Sequence, residues 1–420
     1  MANSIVTAAA VLVAMLVLLL IAATGKPKKS SSFTAAIVGF GYGILMLTGL
    51  TGAGLDLLRA IFVLVVSAAA YPVAVIAKRR IAAVNSRIRV LVGLLLATAL
   101  LSALAQSLSL LGWVYVATAV IGLAAASAVF AIVGGDRGVR RINTWALWIT
   151  LVSMWGVTVV LLFRYSDLLF NPILQVSDIP VQSFVAIAVV IVFTAFSDPL
   201  LRRRIGSADD GFPIRGLVVA ILLLLGMMLA ALLFFGGAFF APGVLFFTLF
   251  PYVSSLGPLG ILPLVLGILV VVTIIPGYLN SAAQEFTPQK VKPDSDHAQP
   301  NRETVVAIVA ITIAAAGLAL LIPAPTPLLV VAGVLSAAAV GSTASSDVRR
   351  QTAATVVGAL AGLGVGSLFG VTELFTMSWG TVVAVAVALI AANITGRCIS
   401  NDAISTTPTN AAAEDINPVI

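Results

Sequence analysis

Long apolar stretches, broken by short basic or Pro/Gly-containing segments, repeat from one end of the chain to the other. They fall near 3–24, 33–52, 56–77, 88–108, 110–134, 144–164, 182–201, 214–238, 258–280, 303–322, 325–342, 351–371 and 376–396. Roughly 20 apolar residues cross the hydrocarbon of a bilayer as a helix. The pattern therefore predicts an all-α polytopic membrane protein with about 13 transmembrane helices. Pro323 and its neighbours leave room for only a tight turn between the tenth and eleventh.

Composition agrees: 60% of the 420 residues are apolar and 9% are charged, against roughly 45–50% and 25% in a soluble domain. The net charge of +7 resembles a nucleic-acid signal until the basic residues are placed. All but Arg59 and Arg164 fall on one side if every run spans, in clusters such as Lys78-Arg79-Arg80, Arg140-Arg141 and Arg202-Arg203-Arg204. That is the positive-inside pattern. It puts the N-terminus outside and the C-terminus inside, and it leaves no role for nucleic acid. A cleaved signal peptide would carry its basic residues before the apolar stretch; Lys26, Lys28 and Lys29 come after it, so the first run is read as a retained helix. The single Cys398 excludes a disulfide framework and the single His297 a His-cluster metal site. Gln284–Asn301 reads as a cytoplasmic loop, and the Ser/Thr/Asn/Ala-rich tail after Arg397 as disordered. No segment outside the membrane is long enough for a separate domain, so the chemistry is expected inside the bilayer.

Two helices carry unusual backbone signals. Predicted helix 2 contains Gly39-Phe40-Gly41-Tyr42-Gly43, and each helical Gly costs about 1 kcal/mol relative to Ala. Small residues favour a close helix–helix contact; they equally suit an unwound segment lining a cavity. Predicted helix 7 ends Thr194-Ala195-Phe196-Ser197-Asp198-Pro199. Pro199 removes a backbone donor, which either breaks the helix or ends it at the interface.

At Gly134-Gly135-Asp136-Arg137-Gly138-Val139 the chain resembles the sodium:solute symporter family, with its Gly-Gly-x-Arg/Lys-Ala-Val turn after the fifth helix. Asp198-Pro199-Leu200-Leu201-Arg202, Leu279-Asn280-Ser281 through Phe286-Thr287, and Val348-Arg349-Arg350 with Gly358 to Gly362 resemble family motifs in the same order. The resemblance covers about residues 33–396. It implies a LeuT-type 5+5 inverted repeat, with helices 2–6 and 7–11 related by a pseudo-two-fold axis in the membrane plane. The expected organisation is an extra helix and basic loop (1–32), a transport core (33–342), two accessory helices (343–397) and a tail (398–420).

The resemblance places a break in helix 2 and implies that Gly41, Gly43, Thr194 and Phe196 bind substrate between two broken helices. It also implies a sodium site from the backbone carbonyls of Gly39, Tyr42 and Val270 and the hydroxyl of Thr273. Ile274 stands at a position where the family has a second hydroxyl. Sodium needs oxygen ligands, so that ligand is lost. The implied function is secondary active transport: cation-coupled, sodium by default, uptake of a small organic solute by alternating access across the plasma membrane. The alternative is a transporter-derived membrane subunit that no longer transports and binds a partner protein. The sequence itself names no such partner and, beyond sodium, implies no cofactor. An enzyme is not expected, because the outer acids Asp56, Asp167, Asp178 and Glu373 are scattered and no Ser–His or Asp–Asp pair lies within the helices.

Overall fold

A computed structural model describes residues 46, 62–63, 65–67, 69–70, 73–74, 83–110, 115–135, 138–139, 181–206, 274–287, 300–345 and 347–405. Among these, the long elements are α1 (Ser86–Leu110), α2 (Val116–Gly135), α3 (Val181–Ser197), α4 (Pro199–Gly206) and α5 (274–286). They continue with α6 (Arg302–Leu321), α7 (Pro325–Ser342), α8 (Val348–Ser367), the single turn α9 (Val371–Leu374) and α10 (Trp379–Ser405). Five of them, α1, α2, α6, α7 and α10, are long and apolar enough to cross a membrane. Predicted helices 1, 6 and 8 lie outside the described residues, as does predicted helix 2 apart from Met46.

Helix boundaries follow local chemistry. The Asn301 side chain accepts from Thr304 N at 2.8 Å to start α6, and Asp347 accepts from Arg349 N at 2.9 Å to start α8. Such caps satisfy backbone donors that the first turn leaves free. Pro325, at the first position of α7, has no donor to lose there. Of the boundaries that differ from expectation, two reach into segments read as loop or tail. Residues 284–286, expected in a loop, continue α5, and 398–405, expected in the disordered tail, continue α10 to Ser405. Gln284 is polar and blurs the sequence signal for a helix end, yet it sits within the helix with its amide donating to Asn280 Oδ1 at 3.0 Å.

The central helices are α1 and α7, buried along most of their apolar length, while α2, α6 and α10 are buried along less than half of theirs. The outer helices turn residues such as Val306, Ile313, Ile390 and Ile394 outward, the apolar face that hydrocarbon accommodates. Small residues let backbones close up. A Cβ on Gly341 of α7 would lie 2.3 Å from the Leu389 carbonyl oxygen of α10. One on Gly333 would lie 3.3 Å from Val190 of α3. Asn85, just before α1, donates to the Val348 carbonyl at 3.3 Å and to Thr352 Oγ1 at 2.8 Å. Ser102 and Gln106, further along α1, donate to the Pro323 carbonyl in the α6–α7 turn. The starts of α1 and α8 therefore share one end of the bundle, and the α6–α7 turn lies at the other.

Candidate functional site

The helix through Thr194 to Arg202 is interrupted. Proline disfavours helical geometry in the residue before it, so α3 stops at Ser197 and α4 restarts at Pro199. Asp198 between them is 1% exposed. Its Oδ1 accepts from Leu200 N at 2.8 Å and Leu201 N at 3.1 Å. Its backbone carbonyl accepts from Arg202 N at 3.1 Å. The carboxylate thus caps α4, and Oδ2 is left to accept from the Tyr278 hydroxyl of α5 at 2.8 Å. Asp198 and Pro199 are both buried at this interruption, and α4 continues beyond it to Gly206.

A glycine lets neighbouring helices close on this break. A Cβ on Gly93 of α1 would lie 2.8 Å from Pro199 Cγ and 3.3 Å from Ala282 Cβ of α5, so α1, α4 and α5 meet at one point. A Cβ on Gly277 of α5 would meet Leu200 of α4 at 3.4 Å, an ordinary van der Waals contact.

Seven residues along α5 from Tyr278, Glu285 joins the same helices by charge. Its Oε2 accepts from Arg89 of α1 at 3.0 Å, and its Oε1 from Arg202 of α4 at 2.7 Å. The Arg89 side chain is 4% exposed and also donates to the Val84 carbonyl; those of Glu285 and Arg202 are 12% and 31% exposed. One carboxylate shared by two guanidiniums, in charge-assisted hydrogen bonds, ties three elements together.

Of the residues expected to bind substrate, Thr194 is fully buried on α3, with its hydroxyl donating to the Val190 carbonyl of the same helix at 2.6 Å. Phe196 is half-buried, packs against the core and has its ring 6.2 Å from that of Phe193. Gly39, Gly41, Tyr42, Gly43, Val270 and Thr273 lie outside the described residues. Ile274, at the expected hydroxyl position, is buried in the apolar core and brings no side-chain oxygen. Sequence reasoning missed Arg89, Tyr278 and Glu285. The i, i+7 spacing of Tyr278 and Glu285 places both on one face of a helix, but nothing in the sequence pairs that face with Asp198 or Arg89.

No protein-family model matches the chain, and no curated protein does. Solved structures do. The chain is similar to a Na+-coupled sialic acid symporter in a substrate-bound, outward-open state, with a TM-score of 0.61 at 14% identity over 93% of this chain and 98% of that one. It is also similar to MHP1, a nucleobase-cation-symport-1 family transporter, in a closed conformation with bromovinylhydantoin bound. There the TM-score is 0.51 at 16% identity, over 90% of this chain and 94% of that one. At such identities the likeness is one of fold. With its apolar helices, it makes the chain a multi-pass, all-helical membrane protein.

Proposed function

We propose that the chain is a secondary active transporter that moves a small organic solute into the cell by alternating access, coupled to a cation. The observation that carries this reading is the broken helix at Asp198-Pro199, inside a fold shared along nearly its whole length with a Na+-coupled symporter. Irregular backbone at membrane depth is tolerated where it is buried in protein or lines a cavity, and transporters build their sites from such discontinuous helices. In this reading the two repeats are predicted helices 2–6 and 7–11, the membrane is the plasma membrane, and Gly41, Gly43, Thr194 and Phe196 face the solute. The scarcity of charged residues within the apolar runs favours a small, weakly polar or monocarboxylate-type solute over a sugar. Both neighbours are transporters, and nothing favours an enzyme.

Purified protein in proteoliposomes, offered amino acids and short carboxylates under sodium or proton gradients, is expected to take up one class. No uptake under any gradient would count against transport. A second reading, a membrane subunit that has ceased to transport, draws on Ile274: a buried aliphatic side chain occupies a position where a sodium ligand is expected. A partner co-purifying in fixed ratio would favour it.

Sodium coupling is tested at neighbouring positions. If Thr273 supplies the side-chain oxygen beside the carbonyls of Gly39, Tyr42 and Val270, Thr273→Val abolishes sodium dependence. Ile274→Ser, which adds an oxygen, lowers the sodium concentration giving half-maximal uptake. Sodium-stimulated uptake unchanged by either substitution would place the ion elsewhere.

A further inference from the structure

We propose that Arg89, Glu285 and Arg202 form a latch at one end of the bundle, and that its opening admits water and solute to a polar vestibule around Asp198. This rests on the transport reading above and adds the path by which the site communicates with one side of the membrane. Glu285 holds α1 and α4 together through one carboxylate, at 3.0 and 2.7 Å. Parting α5 from either partner therefore breaks an arm of the same junction. Arg202 is already partly exposed whereas Arg89 is buried, so the junction lies at a rim, with water on one flank and protein on the other.

Behind it the packing is dense but polar. Ser281 sits one turn deeper than Glu285 on α5, with Asn280 beside it. Ser197 adjoins Asp198 at the break. All three are fully buried, and among the described residues Ser281 Oγ, Asn280 Nδ2 and Ser197 Oγ have no hydrogen-bond partner. A buried polar atom without a partner costs stability, and an apolar residue would remove that cost. These groups become useful in a second conformation in which water or solute meets them. The break supplies the means: α4 is covalently continuous with α3 but lacks its hydrogen-bond ladder across Asp198-Pro199, so α4 can swing while α3 stays packed on α7. The end concerned carries Arg89, Arg202, Arg349 and Arg350, which makes it the cytoplasmic end by the positive-inside rule.

The test uses the full chain in inside-out membrane vesicles and needs no substrate. Cys398 is the only cysteine, so Cys398→Ser gives a cysteine-free background, into which Ser281→Cys places a near-isosteric reporter. Labelling by a membrane-impermeant maleimide is expected to be slow while the latch is intact. Arg202→Gln is expected to raise the rate about two- to fivefold, the range set by one partly exposed ion pair. Arg202→Lys, which keeps the charge, is expected to restore it. Glu285→Gln, which weakens both arms, should have the larger effect, and if it fails to fold the Arg202 pair carries the test. A second reporter, Ser336→Cys on the central helix α7, should stay protected. Unchanged Ser281→Cys labelling in Arg202→Gln would overturn the latch. So would fast labelling with the latch intact, or a parallel rise at Ser336→Cys, which would mean general loosening. Failure of uptake with the labelling pattern intact would remove the transport reading and leave the latch.

Discussion

Glu285→Leu is expected to destabilise the protein by about 3–5 kcal/mol, the usual cost of removing one partner from a buried ion pair. Arg89, with a side chain 4% exposed, would keep its bond to the Val84 carbonyl but lose its counter-charge. Arg202 would remain nearby as a like charge. Arg202→Gln takes away only the partly exposed arm and is expected to cost about 1 kcal/mol or less. Reversible unfolding in mixed micelles, with helicity followed against denaturant, measures both. The double variant Arg89→Leu/Glu285→Leu discriminates further: it should recover much of the loss, because paired burial of apolar groups avoids the desolvation cost. Equal destabilisation by Glu285→Leu and Arg202→Gln would mean that Arg89 is not the group that depends on Glu285.

The second large effect is expected where α8 meets α10. Gly358, Gly362 and Gly366 recur every fourth residue on one face of α8, and added Cβ atoms would lie 2.6, 2.3 and 2.9 Å from the carbonyl oxygens of Ala388, Ala384 and Gly380. Backbone cannot yield as a flexible side chain does, so Gly362→Val must push the helices apart, at about 1–3 kcal/mol or more. Gly364, two residues on, faces open space. There Gly364→Ala is expected to be neutral or to stabilise by up to about 1 kcal/mol, through helix propensity alone. The same unfolding assay compares them. If both variants behave alike, the close approach of α8 and α10 is absent from the protein in its membrane.

The contrast between Gly362 and Gly364 also shows where sequence reasoning stops. Spacing marks both as glycines within an apolar helix; only the neighbouring carbonyl of Ala384 separates them. The same holds at the candidate site. Pro199 announced a disturbed helix through its missing donor and its effect on Asp198, and that local rule needed no tertiary information. What surrounds the disturbance was not legible, because Gly93, Ala282 and Tyr278 come from helices distant in sequence.

Apolar run length by itself determined the membrane-spanning class and the positions of most of the helices among the described residues. A span in hydrocarbon must be long, apolar and internally hydrogen-bonded, and each of these leaves a local trace. The α6–α7 turn at Pro323 and the run 325–342 are instances where sequence and structure coincide. Chain distance hid the pairings. Arg89 reads in sequence as a topology charge and Glu285 as a loop residue, and only packing brings their side chains to 3.0 Å. A charge in a sequence carries its sign but not its counter-charge, and in a low-dielectric interior the counter-charge decides what the residue does.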